Sequence, residues 1–227
     1  MKISVIIPVL NEVAALPGLL KELQSRSSGY IGEILVVDGG STDGTQAVVQ
    51  GEMVRLIPSE RGRPLQLNKG AQEAHFEILW FLHADSLPPV QFDRLIVEQV
   101  KKGNECGCFR MKFDSRHVLL RFFGWLTRFN SDLCRGGDQS LFVTKSLFER
   151  AGAFNEKYVI FEDNEIIPRL KKESAFAVIQ KDIITSARRY KENGVFRLQF
   201  HFARLHMKYR RGVEIEELLR YYKAHVK

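Results

Sequence analysis

From Ile3 to Val9 the chain is a nearly unbroken β-branched apolar run, and it ends in the polar pair Asn11-Glu12. That pattern predicts a strand buried on both faces. Leu16, Leu19, Leu20 and Leu23 recur at helical spacing within Ala14 to Leu23, which predicts an amphipathic helix. A second buried strand, Glu33 to Val37, runs into Asp38-Gly39-Gly40-Ser41-Thr42-Asp43-Gly44, a turn-rich stretch that can open a helix near Thr45. Val54 to Ile57 reads as a third strand, Pro64 to His75 as a helix, and Ile78 to Leu82 as a fourth strand ending in His83-Ala84-Asp85. Four strand-helix units in succession imply an α/β fold, a mostly parallel central sheet flanked by helices, with ligands beyond the carboxyl ends of the strands. Those ends carry Asn11, Glu12, Asp38, His83 and Asp85, so polar residues converge where a site belongs.

The second half is less regular. Leu119, Phe122, Phe123 and Leu126 recur at helical spacing, with Trp125 and Phe129 beside them and Arg116, Arg121 and Arg128 interleaved. The stripe fits a helix lying on a membrane surface or taking a lipid-linked acceptor, and it equally fits the buried face of a core or dimer helix. Ile215, Leu218, Leu219 and Tyr222 form a second amphipathic face with the same alternatives. Between the two stripes lie the loop Arg135-Gly136-Gly137-Asp138-Gln139 and the segment Phe161-Glu162-Asp163-Asn164-Glu165, which opens a helix. No internal repeat or low-complexity linker divides the chain, so residues 1–227 read as one domain.

Composition sharpens the picture in three places. With 44% hydrophobic and 27% charged residues, the chain can bury a core without disulfide or metal staples. The formal charge of +7 favours a partner bearing phosphate or an anionic membrane face, without choosing between them. Three cysteines, Cys106, Cys108 and Cys134, are too few and unevenly spaced for a disulfide scaffold or a zinc knuckle. They read as buried, inert thiols in a reducing compartment, the cytoplasm. Met1 to Leu10 reads as the first strand rather than a signal peptide, because Asn11-Glu12 follow at once. The apolar stretches fall short of the ~18 residues that a membrane-spanning helix needs.

The candidate chemistry lies in carboxylates. Asp85 follows a strand, and strand alternation would point His83 to the same side. A carboxylate there suits a hard divalent cation, Mn²⁺ or Mg²⁺, completed by diphosphate oxygens and water; its other reading is a cap for the turn ahead of Pro88-Pro89. Asp38 is placed to bind a nucleoside, or else to bond its own Gly39-Gly40 turn. The first strand lacks a Gly-x-Gly-x-x-Gly turn and no Walker-type Gly-Lys-Ser/Thr follows, which removes dinucleotide and P-loop enzymes. Glu162 and Asp163 fit a helix N-cap or dipole partner, and they are also the candidate general base of the second half.

In order and spacing, Val5 to Glu12, Val36 to Thr45, Asn68-Lys69-Gly70-Ala71, Leu82-His83-Ala84-Asp85 and Phe161-Glu162-Asp163 resemble the family 2 glycosyltransferases of the GT-A fold. Gly62 to Asn68, Gly137-Asp138-Gln139 and Thr185 to Tyr190 resemble a small bacterial subgroup encoded beside radical-SAM/selenium-domain proteins. The resemblance implies a GT-A domain with a Rossmann-like N-terminal half, residues 1–110 holding a nucleotide-sugar and residues 111–227 the acceptor. It implies that Pro8, Asn11, Glu12, Arg63, Asn68, His83 and Ala84 surround the nucleotide and that Asp38 bonds its base, most often uracil. Asp85 would be the metal ligand, with Mn²⁺ or Mg²⁺ as cofactor, and Asp163 the catalytic base. Gly137, Asp138, Gln139, Glu162, Arg188 and Arg189 would line the acceptor or donor-sugar region. His83 departs from the family, standing where its metal motif has a first carboxylate.

The implied activity is inverting transfer of a sugar, from a UDP-sugar or another nucleotide-diphosphate-sugar, to an acceptor hydroxyl, with the acceptor unknown and possible as a lipid-linked molecule. Location in the cytoplasm, peripheral at the inner membrane face, and self-association are compatible expectations. A sugar-phosphate nucleotidyltransferase would need a Gly-rich loop where Asn11-Glu12 stand. The other alternative is a basic nucleotide- or membrane-binding module with an inactive transferase site; no nucleic-acid-binding motif is present, and none is expected as partner.

Overall fold

Alternation along the first strand decides which side chain enters which apolar layer. Ile3, Val5, Ile7 and Val9 join a layer on one side of the sheet and Ile6 joins the other. The same division continues at Ile78 and Trp80 against Leu79 and Phe81. The computed structural model describes residues 1–226, and its strands are β1 (Ile3–Val9), β2 (Ile31–Asp38), β3 (Val54–Pro58), β4 (Ile78–Phe81), β5 (Ser86–Leu87), β6 (Cys106–Phe113), β7 (Leu141–Thr144) and β8 (Phe176–Thr185). They form one eight-stranded sheet in the order β3-β2-β1-β4-β7-β6-β8-β5. The first four strands are parallel; β7 runs against them, β6 and β8 run with them, and the short β5 is antiparallel to β8. The mostly parallel central sheet expected from the sequence is therefore present, and it passes through both halves of the chain.

Helices α1 (Leu16–Arg26) and α3 (Phe92–Lys101) cover one face, where Trp80 stacks on Phe92 with ring centroids 4.7 Å apart. Helices α2 (Arg63–Glu73), α5 (Lys145–Arg150) and α6 (Glu162–Glu173) cover the other, where Phe81 meets Phe154 at 5.0 Å. Burying each such ring contributes roughly 1.5–3 kcal/mol. Helix α4 (Val118–Leu126) lies beside β6, and α7 (Arg188–Asn193), α8 (Val195–Arg210) and α9 (Ile215–His225) complete the chain. The C-terminal pair makes its own small core from Leu198, Leu205, Leu218 and Val226, so the amphipathic face read at Ile215 to Tyr222 packs inward. Phe161 joins this core and stacks on Tyr209 at 4.8 Å.

Two expectations are corrected here. The helix near Thr45 is only a 3-10 turn, Thr45–Val48. Its polar side chains are committed elsewhere: Ser41 and Thr45 accept from the backbone of Asn11 and Glu12, and Asp43 accepts from Val13. Asn11, at φ 59°, accepts from Thr42 in return. The second correction concerns Asn68, which is buried on α2 and never reaches the strand ends. Its side chain donates to the Phe154 carbonyl and to Glu156, and accepts from the Phe154 amide, which fixes the approach to α6.

Asn68→Ala therefore leaves two buried backbone groups of Phe154 unmatched and should cost about 1–3 kcal/mol in urea denaturation. Nucleotide affinity of the folded variant should stay at the parent value; a selective loss of nucleotide binding without loss of stability would refute this structural role.

Candidate active site

Because β1, β2, β4, β6 and β8 are parallel, the loops after them open on one edge of the sheet, and antiparallel β7 brings the loop before it to the same edge. A cavity of about 340 Å³ lies there, lined by Pro8 near the end of β1 and Glu12 after it, Arg63 on α2, His83, Ala84 and Asp85 after β4, Asp138 before β7, and Arg188, Arg189 and Tyr190 after β8. A second cavity of about 440 Å³ adjoins it, lined by Val159 to Asn164 together with Phe202, Leu205, Leu219 and Lys223. Arg63, Asp138, Arg189, Phe202 and Tyr222 line both. The two chambers share one wall.

His83 and Asp85 are not on the strand. β4 ends at Phe81, and residues 83–86 form a turn closed by the Ser86 amide donating to the His83 carbonyl at 3.1 Å. Strand alternation does not aim these side chains, yet the turn brings both to the cavity. His83 Nδ1 lies 3.4 Å from Asp138, whose own position comes from the 3-10 turn Gly137–Gln139. Against the cost of desolvation, His83, Arg63 and Arg189 hold the Asp138 carboxyl below its usual value.

Against the shared wall, on the side of the second cavity, lies a charge cluster. Glu162 and Asp163 open α6 and are 4% and 8% exposed, behind Phe161 at φ 67°. Glu162 accepts from Arg63 at 3.2 Å, while among the described residues no group donates to Asp163. Desolvation, then the neighbouring Glu162, push the Asp163 carboxyl up to about 7 against the opposing pull of His83 and Arg63. Partial burial would lower the Arg63 guanidinium, but Glu162, Asp163 and Asp138 outweigh it and raise it further. Glu12 is also raised, by desolvation first and by Asp85 and Asp43, with Arg188 opposing. An uncommitted, buried carboxylate that titrates near neutrality can accept a proton from a bound hydroxyl.

Of the residues expected at the site, Pro8, Glu12, Arg63, His83, Ala84, Asp85, Asp138, Glu162, Asp163, Arg188 and Arg189 line the two cavities. Four others do not. Asp38 is 3% exposed and accepts from its own loop, Ser41 and Gln46, which is its turn-stabilising alternative. Asn11 cross-links that loop, and Asn68 holds residues 154–156. Gln139 is buried against Arg135, Cys134 and Cys108. Arg135, missed in the sequence, organises this loop by donating to the Thr127 and Phe129 carbonyls as well. Also missed were Phe202 and Tyr222, which reach the shared wall from α8 and α9; Arg189 donates to the Tyr222 hydroxyl and lies 5.9 Å from the Phe202 ring. Cys106 and Cys108 are buried, and burial pushes their thiols up to about 12 and about 11; Cys134 is only half-buried, contrary to expectation.

The undecaprenyl-phosphate 4-deoxy-4-formamido-L-arabinose transferase of Pseudomonas paraeruginosa is 32% identical over 119 residues, 48% of this chain and 35% of that protein. The dolichol-phosphate mannosyltransferase of Pyrococcus furiosus is 31% identical over 112 residues, 46% of this chain and 32% of that protein. The matched stretches thus span about a third of these relatives. Among solved structures, S. aureus TarS superposes with a TM-score of 0.68 at 18% identity, covering 82% of this chain and 61% of that one. Glucosyl-3-phosphoglycerate synthase from Mycobacterium tuberculosis, in complex with Mn²⁺, UDP and glucosyl-3-phosphoglycerate, gives 0.59 at 18% identity over 80% and 70%. These likenesses bear out the GT-A architecture. Residues 4–146 match the model for Glycosyl transferase family 2, and the chain belongs to that family.

Proposed function

We propose that the protein is an inverting glycosyltransferase that moves a sugar from a nucleoside-diphosphate donor, UDP-linked in the first instance, to an acceptor hydroxyl. The observation that carries this reading is the buried Asp163 carboxylate in the second cavity, within the charge field of Arg63, Asp138 and His83 at the donor cavity. The chamber lined by Pro8, Glu12, Asp85 and Arg188 takes the donor, and the chamber lined by Phe161 and Leu219 takes the acceptor. Residues 1–110 serve the donor together with Asp138 and Arg188 to Tyr190 of the second half, which also forms most of the acceptor side.

In this mechanism Asp163 accepts the proton of the acceptor hydroxyl as its oxygen attacks the anomeric carbon. The bond from that carbon to the diphosphate oxygen breaks, and the electron pair leaves with the nucleoside diphosphate. A single displacement inverts the anomeric centre. Arg63 and Arg189 border both chambers, where their charge favours a diphosphate over a neutral donor group.

Among the described residues, no three His, Cys, Asp or Glu side chains form a cage for a metal ion. Exposed Asp85, with Glu12 near enough to sense its charge, matches the sparse donor set that Mn²⁺ or Mg²⁺ uses when diphosphate and water supply the other ligands. A cation held there would neutralise charge on the departing diphosphate. Complexes of related folds with Mn²⁺ support the same assignment. The unpaired thiols support a cytoplasmic location.

Asp163→Asn should lower kcat by about 10²–10⁴. The folded variant should melt higher than the parent, because it removes a charge that burial disfavours; near-normal turnover would sink the base assignment. For the parent, kcat/KM should rise as pH increases through about 7, since the carboxyl must be ionised to accept the proton and its value is raised to that region. A flat profile from pH 5.5 to 8.5 in the steady-state assay would contradict it. Calorimetry should show UDP binding strengthened by Mn²⁺ and the gain abolished in Asp85→Asn; binding indifferent to Mn²⁺ would remove the metal from the reading.

A further inference from the structure

Helix α4 was expected to bury Leu119, Phe122, Phe123 and Leu126 if it served as a core helix, but its fully buried residues are Leu120 and Gly124. Phe122 is 50% exposed, Trp125 45% and Phe129 48%. The Phe122 and Trp125 rings stack at 6.2 Å, and Trp125 meets Phe129 edge-on at 5.2 Å, making a continuous ladder on the surface. Behind it, between α4 and β6, is a cavity of about 160 Å³ bordered by Arg110, Lys112, Arg121 and Arg128. Arg128 lies over the Trp125 ring at 5.0 Å, and its Nε is buried without a hydrogen-bond partner among the described residues. The carboxylate bordering this cavity, Asp182, is already paired with Arg110.

We propose that this face docks the protein on an anionic lipid bilayer, with the rings in the interfacial layer and a lipid phosphate at the α4–β6 cavity. Aromatic rings with interleaved arginines suit the boundary between acyl chains and anionic headgroups. The charge also argues against a second copy as the occupant, since a two-fold contact through this face would bring its own cations together. Phe113 borders both this cavity and the donor chamber, so the docked face lies directly beside the active site. Among the described residues no helix is long and apolar enough to cross a membrane.

The chain has two tryptophans, and Trp80 is fully buried, so a change in emission on adding vesicles reports Trp125. Phosphatidylglycerol-containing vesicles should shift that emission to the blue and pellet the protein, while pure phosphatidylcholine vesicles should do neither. Arg121→Glu should weaken binding by more than the roughly fivefold expected for loss of one surface cation, and added salt should act in the same direction. Phe122→Ser, an exposed change that preserves fold, should weaken it independently. No pelleting with anionic vesicles, equal binding to both lipids, or a blue shift that depends on protein concentration without vesicles would overturn the proposal, the last by showing that a second copy covers the face.

Discussion

Strand direction is the constraint from which the site follows. A parallel sheet places every carboxyl end on one edge, and here β1, β2, β4, β6 and β8 all deliver their following loops there. The reversal of β7 adds a further loop to that edge rather than removing one, because an antiparallel strand presents its amino end where its neighbours present their carboxyl ends. Asp138 thereby meets His83, although the two are far apart in sequence. No single loop contains enough polar groups to hold a charged ligand; the topology assembles them.

Once assembled, the site is governed by the cost of burying charge. Glu162 and Asp163 are adjacent, nearly excluded from water and at the start of one helix. Arg63 bonds only the first of them. Asp163 receives no such bond, and desolvation first, then the charge of Glu162, push its carboxyl up to about 7. The backbone of Phe161, in a left-handed conformation uncommon for a bulky residue, presents the pair to the cavities, and its ring is held by Tyr209 and His206 of α8. The small C-terminal core thus helps maintain the geometry of the helix start.

The periodic runs were legible because burial on two sheet faces leaves a continuous apolar record: Ile3 to Val9 and Ile78 to Leu82 announce themselves without tertiary knowledge. The strand ends were legible for the same reason. Asp38 stands at a strand end, where a polar side chain can bind a ligand or satisfy a turn and spacing alone does not separate the two; here it accepts from its own loop. Asn68 lies within α2, and its partners at Phe154 and Glu156 are distant in sequence, so no local pattern announces them. Phe202 left no signal and Tyr222 only that of an amphipathic face, since their place at the site depends on how α8 and α9 fold back over Arg189, a long-range packing event.

That packing event bears on how the two chambers divide the work. The family match ends at residue 146, before α6, β8 and the three last helices. The donor side draws on the shared portion through Pro8, Glu12, Arg63 and Asp85, whereas Phe161, Asp163, Leu205 and Leu219 of the other chamber all lie beyond it. Arg189 belongs to neither side alone: it borders both cavities and bonds Tyr222 of α9. A change in α9 that alters the acceptor wall therefore also changes the support of a cation at the donor chamber. On the proposed assignment of the two chambers, Arg189 links acceptor preference to donor affinity, because a change in α9 that moves Tyr222 also moves the cation bordering both.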